Sequence, residues 1–247
     1  MTRKVAMVTG AASGIGQALA VAFARQGVAV AGGYYPADPH DPDETRRLVE
    51  EAGGECLMLP LDVTFTASVD DLAAAAIKAF GRIDYAVANA GLLRRAPLLE
   101  MTDERWNEML DVDLTGVMRT FRSAVRHMGE GGALVAISSI AGGVYGWQDH
   151  SHYAAAKAGV IGFSKSLALE VAKDNVLVNA IAPGPIETPL VAGISSAWKT
   201  AKAAELPLGR FGLAEEVAPV AVLLASEPGG NLFVGQTLGP NSGDVMP

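Results

Sequence analysis

Lys4-Val-Ala-Met-Val-Thr-Gly-Ala-Ala-Ser-Gly-Ile-Gly-Gln-Ala-Leu-Ala-Val-Ala-Phe-Ala-Arg-Gln-Gly27 decides the fold. Its first six residues are a short apolar run and read as a buried strand. Gly10, Gly14 and Gly16 follow. From Gln17 to Gln26, Leu19, Ala20 and Phe23 recur at helical spacing, and Gly27 stops that helix. Glycines between a strand and a helix let backbone approach a pyrophosphate, and the helix N-terminus supplies unpaired N–H groups and the positive end of a dipole. The spacing is not G-x-G-x-x-G. A three-residue gap between the first two glycines belongs to another dinucleotide-binding group, and the strand-turn-helix context gives the pattern its weight.

The same alternation runs through the chain. Val28–Ala31 reads as a second strand, 35–44 as a loop rich in Pro and Asp, and Thr45–Ala52 as a helix stopped by Gly53-Gly54. Cys56–Leu61 is a third strand and Thr66–Phe80 a helix closed by Gly81. Ile83–Ala88 is a fourth strand, ending in Asn89-Ala-Gly91. Two helices, about Thr102–Met109 and Leu114–Met128, precede a fifth strand, Ala133–Ile137. A helix carrying Tyr153 and a sixth strand, Val176–Ile181, follow. Near-continuous apolar strands alternating with helices predict an α/β protein with a parallel sheet covered on both faces. No linker or composition break divides residues 1–247, so one domain is expected.

Composition narrows the class. Half of the 247 residues are apolar and 19% are charged, enough for a sizeable core. A net charge of −8 argues against a nucleic-acid partner. A single cysteine, Cys56, excludes an internal disulfide and fits a reducing compartment. Met1-Thr-Arg-Lys and Ala18-Leu-Ala20 imitate parts of a signal peptide. Thr9, Gly10, Ser13, Gly14, Gly16 and Gln17 interrupt the apolar run between them, so a mature cytoplasmic start is expected. No apolar stretch approaches the roughly 20 residues of a membrane span.

Tyr153-Ala-Ala-Ala-Lys157 places a phenol and an ammonium four residues apart on one helix face. A phenol with a pKa of about 10 is a poor base at neutral pH, and a neighbouring cation lowers that value. Moving it by about 3 units takes roughly 4 kcal/mol. The pair is thus suited to passing a proton to or from a substrate oxygen.

Together these segments resemble the short-chain dehydrogenase/reductase family, and within it β-ketoacyl carrier-protein reductases and acetoacetyl-CoA reductases. Thr9-Gly-Ala-Ala-Ser-Gly-Ile-Gly16 matches the family's cofactor loop, and Leu61-Asp-Val63 the segment flanking adenine. Asn89-Ala-Gly91 closes the fourth strand in the family manner. Ile137-Ser-Ser139 followed by Tyr153-x-x-x-Lys157 matches the active site, Ala182-Pro-Gly-Pro-Ile-Glu-Thr188 the segment over the nicotinamide, and Gly235-Gln-Thr-Leu238 the last strand. The resemblance implies a Rossmann-type doubly wound, mainly parallel seven-stranded sheet, hydride transfer between a nicotinamide and a carbonyl or alcohol carbon, and a homotetramer. It implies Tyr153 as general acid or base and Lys157 as the group that lowers its pKa and holds the ribose. It implies Ser139 as hydrogen-bond donor to the substrate oxygen, with Ser138 as the competing candidate. Gly10, Ser13, Gly14, Ile15 and Gly16 would meet the pyrophosphate, Asp62 and Val63 the adenine, and Asn89, Ala90 and Gly91 the adjoining ribose. Pro183, Ile186 and Thr188 would border the carboxamide.

Two departures stand out. Asp113-Leu-Thr-Gly116 replaces the family's usual Asn-Leu-Thr-Gly, whose Asn helps hold a relay water beside the lysine; Asp113 would pair with the ammonium. The interval from Ser139 to Tyr153 is one residue longer than in many relatives, which alters the pocket rim between Gly142 and Ser151.

For the dinucleotide, Tyr34 stands where NAD-selective relatives carry an acid at the end of the second strand. Tyr34-Tyr-Pro resembles a loop of NADP-using relatives, so NADP(H) is expected over NAD(H). Asp38, Asp41, Asp43 and Glu44 oppose a 2′-phosphate, and Arg46 and Arg47 lie nearby.

Ser139 with Asp149, His150 and His152 suggests a hydrolase triad, but Ala136 and Ile140 flank the serine pair where Gly-x-Ser-x-Gly needs glycines. His150-x-His152 lacks further metal ligands. Arg119, Arg122 and Arg126 form a helical stripe that would suit an acidic acyl carrier, or else faces water or another subunit. Tyr145, Trp147, Trp198 and the segment about 188–208 suggest a cover for an apolar or aromatic ketone, an alcohol or an acyl thioester. The tail Asn241–Pro247 is a candidate interface segment. The alternatives to an NADP-dependent ketoreductase are an NAD-dependent alcohol dehydrogenase of the same family and a non-catalytic nucleotide sensor.

Overall fold

The computed structural model describes residues 3–129 and 131–246. The start of the basic segment, Met1-Thr2, and the end of the tail, Pro247, lie outside them. In chain order the elements are β1 (Val5–Thr9), α1 (Gly14–Ala24), β2 (Ala29–Tyr34), α2 (Pro42–Glu51), β3 (Cys56–Pro60), α3 (Thr66–Phe80) and β4 (Tyr85–Ala88). Then come α4 (Asp103–Leu110), a π-helical turn (Asp111–Thr115), α5 (Gly116–Val125), β5 (Gly132–Ile137), the short α6 (Ile140–Gly143), α7 (Ser151–Val171) and β6 (Val176–Ile181). The chain closes with β7 (Ile186–Glu187), α8 (Ser196–Glu205), β8 (Gly212–Leu213), α9 (Ala214–Ala225) and β9 (Thr237–Leu238).

Among the described residues, seven strands form one sheet in the order β3-β2-β1-β4-β5-β6-β9. Every pair in it is parallel. This is the doubly wound Rossmann arrangement, extended by one strand. The strands are apolar throughout because both faces are covered. Along β5, Ala133, Val135 and Ile137 join a core with Leu19, Phe23, Val217 and Leu224 of α1 and α9. Leu134 and Ala136 point the other way, into a core with Leu72, Phe121 and Val160 of α3, α5 and α7. The period of two along one strand therefore feeds two separate cores.

Several boundaries differ from the sequence reading. β2 runs on through Gly32 and Gly33 to Tyr34, because a side chain there has no room: a Cβ on Gly32 would lie 2.4 Å from the Met58 sulfur. The two helices expected on either side of residue 110 are continuous, joined by the π-helical turn at Asp111–Thr115. A π bulge adds a residue to one turn and re-aims the side chains on it, a feature frequent at functional sites. α2 begins earlier than expected, at Pro42, where the Asp41 carboxylate accepts from the Asp43 amide and proline fits the first turn.

Sheet order brings the carboxyl ends of β1, β4 and β5 together, and Thr9 fastens the first two. Its hydroxyl accepts from the amides of Asn89 and Ala90, both at 3.0 Å. The Asn89 side chain donates back to the carbonyls of Thr9 and Gly10 at 2.9 and 3.1 Å. Leu134 is fully buried at the centre of the sheet. Leu134→Ala is expected to cost about 2–5 kcal/mol through lost burial and a residual cavity, read as a lower denaturation midpoint with an unchanged slope.

Candidate active site

One cavity of about 780 Å³ lies along the carboxyl ends of the strands, where ligands bind in open α/β sheets. Its first wall is the turn from β1 into α1. Gly10 and Gly14 take positive φ angles of 66° and 53°, accessible to glycine at no cost. A Cβ on Gly16 would fall 1.9 Å from the Gly10 carbonyl oxygen, so this position admits no side chain. Gly10, Ser13, Gly14 and Ile15 line the cavity; Gly16 sits behind them and closes the helix onto the turn. Gly14 faces Thr188 across the opening, where an added Cβ would meet the Thr188 side chain at 3.3 Å.

Asp62, Val63, Asn89, Ala90 and Gly91 form the adjoining wall, and Pro183, Ile186 and Thr188 the opposite one. Asp62 is braced by Thr64, whose amide and hydroxyl donate to it at 2.9 and 2.7 Å. Asn89 has its amide nitrogen committed to the β1 carbonyls, so it shapes this wall from within. Tyr34 is not a lining residue. It packs on the core, and the next residues of that loop, Tyr35, Asp38 and His40, border the cavity. The alternation of a strand turns Tyr34 inward, away from the cavity.

The inner end holds Ser139, Tyr153, Lys157 and Asp113, brought from three separate stretches of chain. α7 carries Tyr153 and Lys157 on one face, with the lysine nitrogen 5.6 Å from the centre of the Tyr153 ring. Lys157 donates to the Ile137 carbonyl at 3.1 Å and lies 3.1 Å from an Asp113 carboxylate oxygen. The other Asp113 oxygen accepts from the Leu92 amide at 2.8 Å. Gly91 lies directly over the pair, where a Cβ would stand 3.2 Å from Asp113 and 3.5 Å from the lysine nitrogen. The two serines part company here. Ser138 donates its hydroxyl to the Lys157 carbonyl at 2.7 Å and so ties β5 to α7. Ser139 caps α6, accepting from the Ala141 amide at 3.1 Å, and its hydroxyl acts on the Tyr153 phenol to lower its pKa.

The electrostatics follow from burial. Burial pushes the Tyr153 pKa above its ordinary value; Lys157 and Ser139 pull it down, and Asp113 pushes it further up. Burial works against the charged form of Lys157, but the charge of Asp113, with Tyr153, outweighs it and holds the ammonium above its ordinary pKa. Burial likewise raises Asp113, with Lys157 and the Leu92 amide opposing.

Around the mouth, Trp147 stands edge-on to Tyr153 at 6.2 Å and stacks with Trp198 at 6.0 Å. His150 stacks on Trp147 at 4.1 Å and binds the Gln148 carbonyl, while His152 is fully buried. Asp149 pairs with Arg95 at 2.7 Å. The arginine stripe is tied to its own chain: Arg119 to Asp111, Arg122 to the Thr66 hydroxyl and Arg126 to Asp70. Sequence reasoning missed Ile137 and Leu92, which act through backbone atoms. It also missed Phe211, Lys202 and Asp244, which line the cavity but carry no motif.

Comparison with known proteins gives one answer. The family model described as enoyl-(acyl carrier protein) reductase matches residues 10–243. The 3-oxoacyl-[acyl-carrier-protein] reductase FabG of Thermotoga maritima is 38% identical, over 98% of each chain. The cis-4-hydroxycyclohexanecarboxylate dehydrogenase of Sinomonas cyclohexanicum is 41% identical, over 97% of this chain and 96% of that one. A solved short-chain dehydrogenase/reductase from Mycobacterium marinum superposes with a TM-score of 0.93 at 31% identity, covering 99% of this chain and 96% of that one. With its glycine turn, its Ser139-Tyr153-Lys157 cluster and these matches along nearly its whole length, the chain belongs to the short-chain dehydrogenase/reductase family.

Proposed function

We propose that the protein is an NADP(H)-dependent ketoreductase, or a secondary-alcohol dehydrogenase in the reverse direction, acting on an apolar ketone or a β-ketoacyl thioester. The observation that carries this reading is the convergence of Ser139, Tyr153 and Lys157 at the inner end of a cavity that begins at a glycine turn. The residues fit the cofactor: the walls at Gly10–Ile15 and at Thr188 leave a channel bordered by backbone and by the free N-terminus of α1. When bound, the nicotinamide supplies or accepts the hydride.

The remaining work falls to the side chains. Tyr153 gives its phenolic proton to the carbonyl oxygen in reduction and takes it back in oxidation. Ser139 donates a hydrogen bond to that oxygen and stabilises the charge developing on it. Lys157, fixed between Asp113 and Ile137, lowers the cost of the phenolate and offers a donor to the ribose. Asp113 keeps the lysine charged yet raises the Tyr153 pKa, so the two effects oppose each other.

The dinucleotide preference rests on the end of β2, which carries Tyr34, turned onto the core, and no acid for a ribose 2′-hydroxyl, and on the likeness of Tyr34-Tyr-Pro to the loop of NADP-using relatives. A second reading, NAD(H), draws on a specific observation. Asp38 borders the cavity and binds the His40 ring at 2.5 Å, whereas Arg46 is engaged with Asp43 at 2.6 Å, and Arg47 with Glu44 and Glu51. The substrate class draws on the tryptophans at the mouth and on the relatives, whose names specify a 3-oxoacyl thioester and a hydroxylated cyclohexanecarboxylate. A homotetramer and a cytoplasmic location accompany the reading. Among the described residues, no helix is long and apolar enough to cross a membrane.

NADPH and NADH oxidation with ketones and acyl thioesters tests the whole reading, and kcat/KM for NADPH is expected to exceed that for NADH about tenfold. A preference for NADH retires the NADP reading and establishes the second one. Tyr153→Phe is expected to lose turnover by about a hundredfold or more while titrating NADPH as the parent does; lost binding, or unchanged turnover, contradicts the assigned role. Asp113→Asn keeps the acceptor for the Leu92 amide and removes a charge that raises the tyrosine. Its activity is expected to match or exceed the parent's, and the rise of alcohol oxidation with pH should move to lower pH. A large fall in kcat would show that the carboxylate itself is needed.

A further inference from the structure

α8 has an unusual make-up for a helix that covers a pocket. Of its ten residues, Ser196–Glu205, the only buried side chain is Lys202. A helix of this length is marginal alone, and an ammonium contributes no apolar burial to hold it down. Lys202 nevertheless enters the cavity wall and meets Asp244 at 2.6 Å, with only 8% and 7% of the two side chains exposed. The same nitrogen lies 4.8 Å from the centre of the Tyr145 ring and 3.6 Å from the exposed Glu205.

The segment that brings Asp244 is itself fixed. The Asn241 side chain accepts from the Gly243 amide at 2.9 Å and donates to the Val245 carbonyl at 3.0 Å. The Asp244 amide donates to the Asn241 carbonyl, and the Gly184 amide to the Pro240 carbonyl, both at 3.0 Å. Gly243 is pressed on Pro207, just beyond α8: its φ is 83°, and a Cβ would fall 2.7 Å from the proline ring. One turn of helix before Lys202, Trp198 stacks on Trp147, meets Phe211 edge-on at 6.4 Å, and so extends the aromatic surface that begins beside Tyr153. Lys202 and Trp198 stand four residues apart, so the anchor of one sets the position of the other.

We propose that the Lys202–Asp244 pair is the positioning device for the substrate wall: the C-terminal tail holds α8 over the cavity and sets Trp198 against Trp147 for a ring-bearing, uncharged ketone. The pair neutralises itself, so it leaves no net charge to recruit an anionic substrate at this wall. It sits among Tyr145, Trp147, Trp198 and Phe211, which present ring faces and edges to the cavity. A cyclic or aryl ketone gains contact with these rings that a short open-chain ketone does not reach. This proposal rests on the ketoreductase reading for its chemistry and deepens it by naming what selects the substrate.

Removing one member of a buried ion pair leaves the other uncompensated and endangers the fold. The test therefore uses the double variant Lys202→Met/Asp244→Leu alongside Lys202→Arg, which keeps the charge. Three quantities are read: kcat/KM for 1-tetralone and for butane-2,3-dione, the exciton signal of the tryptophan pair in circular dichroism, and the dinucleotide Kd. The parent is expected to favour tetralone at least tenfold. In the double variant that preference collapses through KM, the exciton signal disappears and the dinucleotide Kd stays within about twofold. Lys202→Arg retains preference and signal. An equal loss for both ketones, a preference that survives the double variant, or an undiminished exciton signal overturns the proposal. Should the parent turn over no ketone with either dinucleotide, the ketoreductase reading itself falls and the substrate assignment with it.

Discussion

The ammonium of Lys157 is a buried charge, and the structure around it is arranged so that it stays charged and stays put. A lone ammonium out of water is costly, so it needs both a counter-ion and hydrogen bonds. Asp113 supplies the first from the π-helical turn, and the Ile137 carbonyl supplies one of the second from the end of β5. Asp113 in turn is held by the Leu92 amide, just past β4. Four distant stretches of chain are therefore tied to one nitrogen. Gly91 is part of the same constraint, since a Cβ there would stand 3.2 Å from an Asp113 oxygen, closer than an ordinary contact.

The rest of the cavity follows from that knot. The Thr9 hydroxyl and the Asn89 amide lock β1 to β4, which places the glycine turn beside Gly91. Ser138 locks β5 to α7, which leaves Ser139 free to meet Tyr153. Neighbouring serines thus take different tasks because a strand turns successive side chains to opposite sides. The outer half is built differently. It depends on aromatic rings and on one ion pair carried by α8 and the tail, so its shape is set by elements that share little of the central core.

Much of this was legible in the sequence where a local rule applies. The turn at Gly10–Gly16, the helix face shared by Tyr153 and Lys157, and the alternation of strands and helices each depend on residues close in the chain. The placement of Asp113 opposite Lys157 was also legible, because a family pattern marks its position. Three things were not. The two helices around residue 110 are one, since a π bulge has no distinct periodic signature over five residues. The extension of β2 past Ala31 depends on Met58 and Leu61, which fill the space above Gly32 and Gly33. Tyr34 ends β2, and the alternation of that strand turns it onto the core and away from the cavity.

The sequence by itself determined the class of fold, the glycine turn between β1 and α1 and the pairing of Tyr153 with Lys157 on one helix face, because each is encoded within a few residues by spacing, glycine content and helix geometry. Tertiary structure alone decided that Ser138 ties β5 to α7, that the Leu92 amide and the Ile137 carbonyl hold Asp113 and Lys157, and that Asp244 of the tail meets Lys202 across 42 residues of chain. These depend on which strand ends become neighbours and on how a buried charge finds its partner, and no local pattern in a chain records either.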